Sequence, residues 1–375
     1  MKTFQRCTRC VMDNRSDDTI TFDAQGHCNY CTEALERMSK VYFPNEEGEK
    51  RAKALVEEIK AASKGKKYDC IMGLSGGLDS SYLAYLGYQW GLRVLAVHAD
   101  DGYDTDISRS NLEKLIRATG FDYEVITPDA EQLNDLTLSF MKAGVPNLAI
   151  PQDNVLIAFV YQKCKDYGIK YFLSGSNFAL EGILQKGNTH SNSDFVHIKA
   201  VHDEFGSCGM DKLRFISTEG KVVDRYFRHI KTERPLNYVD YNRDRAFREL
   251  SDFCGFEYYG RKHLENVETA FIQLKWLPEK FNVDKRTSHL SSMIVSNQMT
   301  REQALRELEE PMYNPEQMEE YISVIKENMK LSDEDFEKIM SAPTHQHTEY
   351  KTEDKTLPYR TLMTLLRIRR ALLGR

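Results

Sequence analysis

Residues 68–85 read YDCIMGLSGGLDSSYLAY: an apolar run that stops at two adjacent glycines, passes an acid and two serines, and re-enters a helical pattern. A strand that turns directly into a helix through glycine leaves little freedom of fold class. Glycine lets the backbone turn tightly and lets an anion approach bare N–H groups. The start of the following helix adds unpaired donors and a positive dipole end. Leu74, Ser75, Gly76, Gly77, Ser80 and Ser81 therefore read as a phosphate cradle, with serine hydroxyls as further donors. Asp79 is out of place beside a bare anion and fits if Mg²⁺ accompanies the phosphates. The stretch lacks the lysine of a Gly-x-x-x-x-Gly-Lys-Ser/Thr loop and is not Gly-x-Gly-x-x-Gly.

The surrounding pattern repeats that unit. Strands are predicted at 68–74, 93–99, 121–126 and 169–174, and helices at 79–90, 106–118, 129–143 and 152–167. Short apolar strands alternating with helices predict a parallel sheet covered on both faces. A charged amphipathic helix over 45–67 precedes them. A polar loop at 187–194 follows, and the chain is then mostly helical. This divides it into 1–45, 46–190 and 191–375. The net charge of −6 does not point to nucleic acid. No apolar run approaches the roughly 18–20 residues a membrane span needs, and MKTFQRCTRC has no secretory core. A soluble, cytoplasmic protein without a membrane span is expected. His345 and His347 read as a polar loop rather than a metal site. The basic amphipathic tail YRTLMTLLRIRRALLGR is expected to pack on its own domain, with a partner subunit or a membrane surface as alternatives.

Of eight cysteines, four form two Cys-x₂-Cys pairs, Cys7 with Cys10 and Cys28 with Cys31. Four thiolates at this spacing close a tetrahedron around one ion, so a structural Zn²⁺ in a zinc ribbon is expected, with iron as the alternative. A segment this short has little core, and metal binding supplies folding energy. Cys70, Cys164, Cys208 and Cys254 stand alone.

The SGGLDS turn resembles the pyrophosphate loop of the PP-loop ATP pyrophosphatases. They cleave ATP between the α and β phosphates, adenylate a carbonyl oxygen, and let a nitrogen or sulfur nucleophile displace AMP. The resemblance implies a PP-loop (HUP-like) parallel sheet with helices on both faces, an N-terminal zinc ribbon and a mostly helical C-terminal region. In VHADDGY, His98, Asp100 and Asp101 match the strand end that lies along adenine. In LSGSNFALEG, Gly175 and Asn177 match the turn near the α-phosphate, and Glu181, on the same helix face as Asn177, joins Asp79 on Mg²⁺.

Two kinds of PP-loop enzyme carry such a ribbon. The tRNA thiolases use further catalytic cysteines, often a second Cys-x₂-Cys, which this chain lacks. The other kind is the N-acetyl sugar amidotransferases of surface-polysaccharide synthesis. YYGRKHLENVETAF and LPEKFNVDKRTSHLSSMIVSNQMTREQALREL resemble their signatures, with Asn282 standing where a glycine is usual. The resemblance implies an AMP-forming, ATP-dependent ligase (carbon–nitrogen bond forming) acting on an N-acetyl sugar for lipopolysaccharide O-antigen or another surface glycan. Lys262, Lys285 and Arg286 are candidate clamps on phosphate charge. His263 or Glu265 is the candidate proton acceptor, and Gln152, Asp153, Asn154 and Glu265 are candidate sugar contacts. No glutaminase is recognisable in the chain. A separate glutaminase subunit and a cyclase-like barrel subunit are therefore implied as ammonia source, beside a nucleotide-linked sugar substrate. A homo-oligomer is left open, and a tRNA thiolase and a non-catalytic scaffold are the competing readings.

Overall fold

The structure is a computed structural model that describes residues 3–260 and 264–373. Five strands form one parallel sheet: β1 (Cys70–Gly73), β2 (Val94–Ala99), β3 (Asp122–Ile126), β4 (Tyr171–Leu173) and β5 (Lys231–Glu233), in the order β3-β2-β1-β4-β5. Alternation of side chains decides which core each residue joins. Cys70 and Met72 of β1 and Val94 and Ala96 of β2 enter one core, while Ile71, Leu95 and Val97 enter another on the opposite face. Both faces are covered, as a parallel sheet requires.

The helices that matter follow in chain order. They are α1 (Asn29–Val41), α2 (Glu46–Ala62), α3 (Leu78–Gln89), α4 (Asp106–Thr119), α5 (Ala130–Lys142), α6 (Ile150–Asp166), α7 (Phe178–Glu181) and α8 (Phe195–Phe205). After these come α9 (Thr218–Tyr226), α10 (Arg243–Cys254), α11 (Val267–Phe271), α12 (Leu277–Phe281), α13 (Arg286–Val295), α14 (Arg301–Glu309), α15 (Pro315–Asn328), α16 (Asp333–Ser341) and α17 (Leu357–Leu373). A π-type turn, Ile272–Trp276, joins α11 to α12.

The expected βα alternation is found, each element within a few residues of its predicted bounds. Three features differ. β5 lies beyond residue 190, in the region read as helical. The 187–194 loop is partly buried, with Asp194 capping α8 through the His197 N–H. And α17 is packed only in part: Leu362, Met363 and Leu366 are half-buried and Arg369 lies over the Tyr226 ring, while Leu357, Leu365, Ile368 and Leu372 are exposed. No described helix is long and apolar enough to cross a membrane.

The ribbon is welded to the rest. Its cysteines share one core with α3, the sheet, α10 and α13. Arg301 donates to the carbonyls of Cys7 and Cys10, and the Val11 N–H donates to Ser291 Oγ. A second core, built on α5, α11, α12, α15 and α16, lies apart from the sheet.

Candidate active site

The chain runs β1, β2, β3 to one edge of the sheet and then returns to place β4 on the other side of β1. Such a reversal opens a crevice at the carboxyl ends of the two strands. A cleft of about 350 Å³ lies there, bounded by the turn after β1 (Leu74, Ser75, Gly77, Asp79, Ser80) and the turn after β4 (Gly175, Ser176).

Both glycines of the first turn have close neighbours, backbone at Gly76 and side chain at Gly77. Gly76 has φ +74°, and a Cβ there would lie 2.5 Å from the Ser108 carbonyl oxygen on α4. A Cβ on Gly77 would lie 2.4 Å from Glu265 Oε1. Gly175 fits for the same reason, since its Cβ would meet the Ser80 nitrogen at 2.9 Å. Most neighbouring helices have a side-chain cap, but α3 starts at Gly77 without one. Of its first N–H groups, that of Leu78 donates to Tyr259 Oη at 2.7 Å. Ser81 Oγ is buried with no partner among the described residues. A first turn of this kind is electropositive and partly unsatisfied.

Carboxylates dominate the lining: Asp79, Asp101, Asp104, Asp153, Glu181 and Glu265, with no lysine or arginine among the described lining residues. Asp79 accepts from Tyr241, whose hydroxyl pKa is raised well above its usual value by burial and by that carboxylate. Glu181 accepts from Ser176 Oγ at 2.6 Å. Asp101 is held by the Tyr103 N–H at 2.9 Å and by the side-chain amides of Gln152 and Asn266. Burial pushes its carboxyl pKa up, and burial with the Asp101 charge pushes that of Glu268 well up behind it. Such a lining needs cations to hold polyphosphate, and Asp79 and Glu181 across the cradle offer hard oxygen donors suited to Mg²⁺.

Glu265 comes from far along the chain. Asp104 and Asn266 form an antiparallel bridge, Thr105 N donates to the Glu265 carbonyl at 3.1 Å, and Val267 N donates to the Tyr103 carbonyl at 2.7 Å. These bonds lay Glu265 over the glycine turn, where Ser75 Oγ lies 3.5 Å from Oε1.

The other expected residues are distributed as follows. His98 lines the cleft, but its Nδ1 meets the Leu74 carbonyl at 2.8 Å and its Nε2 meets Asp104 at 2.7 Å. Burial opposes its charge, but Asp104, the Leu74 carbonyl and Asp100 together outweigh burial, so its pKa is raised. Gln152 and Asp153 line the cleft, whereas Asn154 turns away and ties α6 to the Asn192 carbonyl and to both backbone groups of Ile216. Asp100, Gly76 and Ser81 are not among the lining residues. Asn177 does not share a helix face with Glu181: α7 is four residues long and Asn177 is its N-cap, accepting the Leu180 N–H. Lys285 and Arg286 line a separate cavity. Arg286 is held by Asp284 and by the carbonyls of Glu307, Leu308 and Glu310. It closes the end of α14 rather than facing the cradle. Lys285 has its pKa lowered by burial, against the nearby charges of Glu181 and Asp17. Lys262 and His263 lie outside the described residues.

Sequence reading passed over Asp104, Tyr241, Tyr259 and Asn266. Tyr259 and Asn266 sit in the YYGRKHLEN block, so a signal was present. Tyr241 carries none.

The four ribbon thiols are buried, and their sulfurs all lie within 4.8 Å of one another. Cys7 and Cys31 are 3.7 Å apart, Cys10 and Cys28 3.6 Å. Tetrahedral zinc with Zn–S of about 2.3 Å sets sulfurs about 3.8 Å apart, so the set fits. Backbone N–H groups of Arg9, Cys10 and Cys28 point at Cys7 Sγ, and that of Cys31 at Cys28 Sγ. Thiolates are stabilised by such donors. The remaining thiols lack activation: burial raises Cys164 to about 12 and Cys208 to about 11, and raises Cys70 and Cys254 as well.

Residues 265–366 match the family model "LPS biosynthesis protein WbpG-like, C-terminal domain". No curated protein matches the chain. Among solved structures, an NMN synthetase from Francisella tularensis aligns at 14% identity over 77% of this chain and 98% of its own, with a TM-score of 0.36. An NH3-dependent NAD synthetase from Campylobacter jejuni aligns at 12% identity over 76% and 97%, with a TM-score of 0.33.

Proposed function

We propose, for a chain whose residues 265–366 match the model of the WbpG-like C-terminal domain of LPS biosynthesis proteins, an ATP-dependent amidotransferase that turns a sugar N-acetyl group into an acetamidino group. The observation that carries this is the uncapped, glycine-lined turn after β1, ringed by carboxylates and closed by Glu265 from the matched domain.

An N-acetyl carbonyl is a poor electrophile. In the reaction its oxygen attacks the α-phosphorus of ATP, the bond to the β-phosphate oxygen breaks, and pyrophosphate leaves. Ammonia then adds to the activated carbon, the carbon–oxygen bond breaks, and AMP leaves with the original amide oxygen. The product amidine is a cation at neutral pH, suited to an acidic cleft.

The residues divide the work. The turn from Ser75 to Ser81 holds the departing phosphates on backbone N–H groups and hydroxyls. Asp79, fixed by Tyr241, and Glu181, fixed by Ser176, would hold Mg²⁺. That ion supplies charge neutralisation for pyrophosphate as it leaves. Gln152, Asp153 and Asn266 face the sugar side, and Glu265 accepts the proton that ammonia gives up. The ribbon zinc is structural.

The test is AMP and pyrophosphate release from ATP, Mg²⁺ and ammonium across a panel of nucleotide-linked N-acetylated sugars, with the sugar followed by mass spectrometry. The mass change of oxygen replaced by NH in one sugar supports the reading. ATP binding with no sugar altered anywhere in the panel overturns it.

A further inference from the structure

Beside the cleft lies a partly open cavity of about 60 Å³, and beyond that a surface groove of about 450 Å³. Arg243, Met293 and Glu307 line both of these, so the two spaces meet there. At the other end the cavity is walled by Leu180 and Leu264, and the very next residues, Glu181 and Glu265, line the cleft. Among the described residues, the segments at Leu180–Glu181 and Leu264–Glu265 thus border both cavity and cleft. Lys285 lines the cavity while its charge acts on Glu181.

The packing explains why space remains. Leu180 and Met293 belong to the core shared by ribbon and sheet, Leu274 to the second core, and Leu290 to a small third cluster with Val11 and Ala304. The cavity lies along the seam where these cores meet. Its volume admits several water-sized molecules, since one needs about 10–15 Å³ of such space. Ammonia fits.

We propose that this seam is the passage by which ammonia reaches the activated carbon from the outer face at Arg243 and Glu307, with Lys285 at its inner end. The proposal rests on the amidotransferase reading and adds the route of the nucleophile. Sugar and ATP then occupy the mouth of the cleft without blocking their co-substrate.

The experiment compares ammonia with methylamine as nucleophile in the full chain, for the wild type, Leu290→Ala and Leu274→Phe. Sugar-dependent ATP–pyrophosphate exchange, which needs no amine, reports whether each variant still folds and adenylates. Widening by Leu290→Ala should raise methylamine use relative to ammonia about tenfold, the scale on which a close-fitting site discriminates one carbon. Narrowing by Leu274→Phe should raise KM for ammonia with exchange unchanged. Exchange-competent variants with an unaltered amine preference and unaltered KM overturn the passage alone. A wild type that exchanges pyrophosphate and consumes no ammonia overturns the amidotransferase reading, and the passage with it.

Discussion

At the residue scale, the two adjacent glycines have separate reasons. Gly76 needs its positive φ and has the Ser108 carbonyl behind it, whereas Gly77 has ordinary φ and makes room for Glu265. Gly77→Ala should therefore leave the fold intact and displace a carboxylate. Ammonia-dependent conversion of the sugar should fall on the order of a hundredfold, as for a misplacement near 1 Å, with pyrophosphate exchange and melting temperature little changed; wild-type conversion would show that Glu265 has no part in the chemistry. Asp79→Asn keeps an acceptor for Tyr241 but removes the charge. Mg²⁺ titration of the same exchange should show a weakened requirement curve, shifted to higher Mg²⁺, and an unshifted curve would remove Asp79 from the metal's ligands. The glycine turn was legible because its constraint is local. The position of Glu265 over the turn was not legible locally, because a bridge between Asp104 and Asn266 brings it there. Asn282 has φ +56°, so the usual glycine is replaced by a residue that tolerates the left-handed region.

At the element scale, the segment carrying His345 and His347 is half surface and half core. His345 is exposed beside Glu349, but His347 is buried, its Nδ1 3.0 Å from His197 Nε2 and its Nε2 accepting the Asn147 N–H at 3.1 Å. His190 stacks on His347 and pairs with Asp194, whose other contacts are the N–H groups of His197 and Glu353. Lys351 and Lys355 flank the pair on the same segment. Burial lowers His197 to about 4 and His347 to about 2. Both stay neutral when folded and take up protons when unfolded, so stability falls as pH drops below about 6.5, by roughly 1.4 kcal/mol per pH unit for each. Glu353, raised to about 7 by burial, acts with the opposite sign between about 7 and 4.5. The net is near one proton. Melting temperature should drop steadily from pH 6.5 to pH 5, less steeply in His347→Gln and more steeply in Glu353→Gln; parallel curves for all three proteins would refute the assignment. A histidine in a Thr- and Gln-rich stretch gives no sign of burial, since its partners His190 and His197 are distant in sequence. β5 was unreadable for a related reason: three half-buried residues, Lys231 to Glu233, are too few to show a period.

At the scale of the whole molecule, ribbon, sheet and helical region share apolar cores. The class of fold was legible because βα alternation is written in local patterns; the joining of the parts was not, because it depends on contacts such as Arg301 with Cys7 and Cys10. Arg301→Met should loosen the ribbon by about 1–3 kcal/mol, the cost of leaving buried carbonyls unpaired. Metal analysis after mild chelation should find zinc lost faster from this variant, while equal loss would make the docking irrelevant to retention. Stripping the metal altogether should lower the melting temperature of the entire chain in one transition, because the cysteines sit in the common core. The same weld has a consequence for synthesis. The ribbon is synthesised well before Ser291 and Arg301, which receive it. Throughout that interval a zinc ion on the four thiols would be what keeps the nascent finger in shape, so cellular zinc supply at the moment of translation should govern how much folded protein a cell obtains.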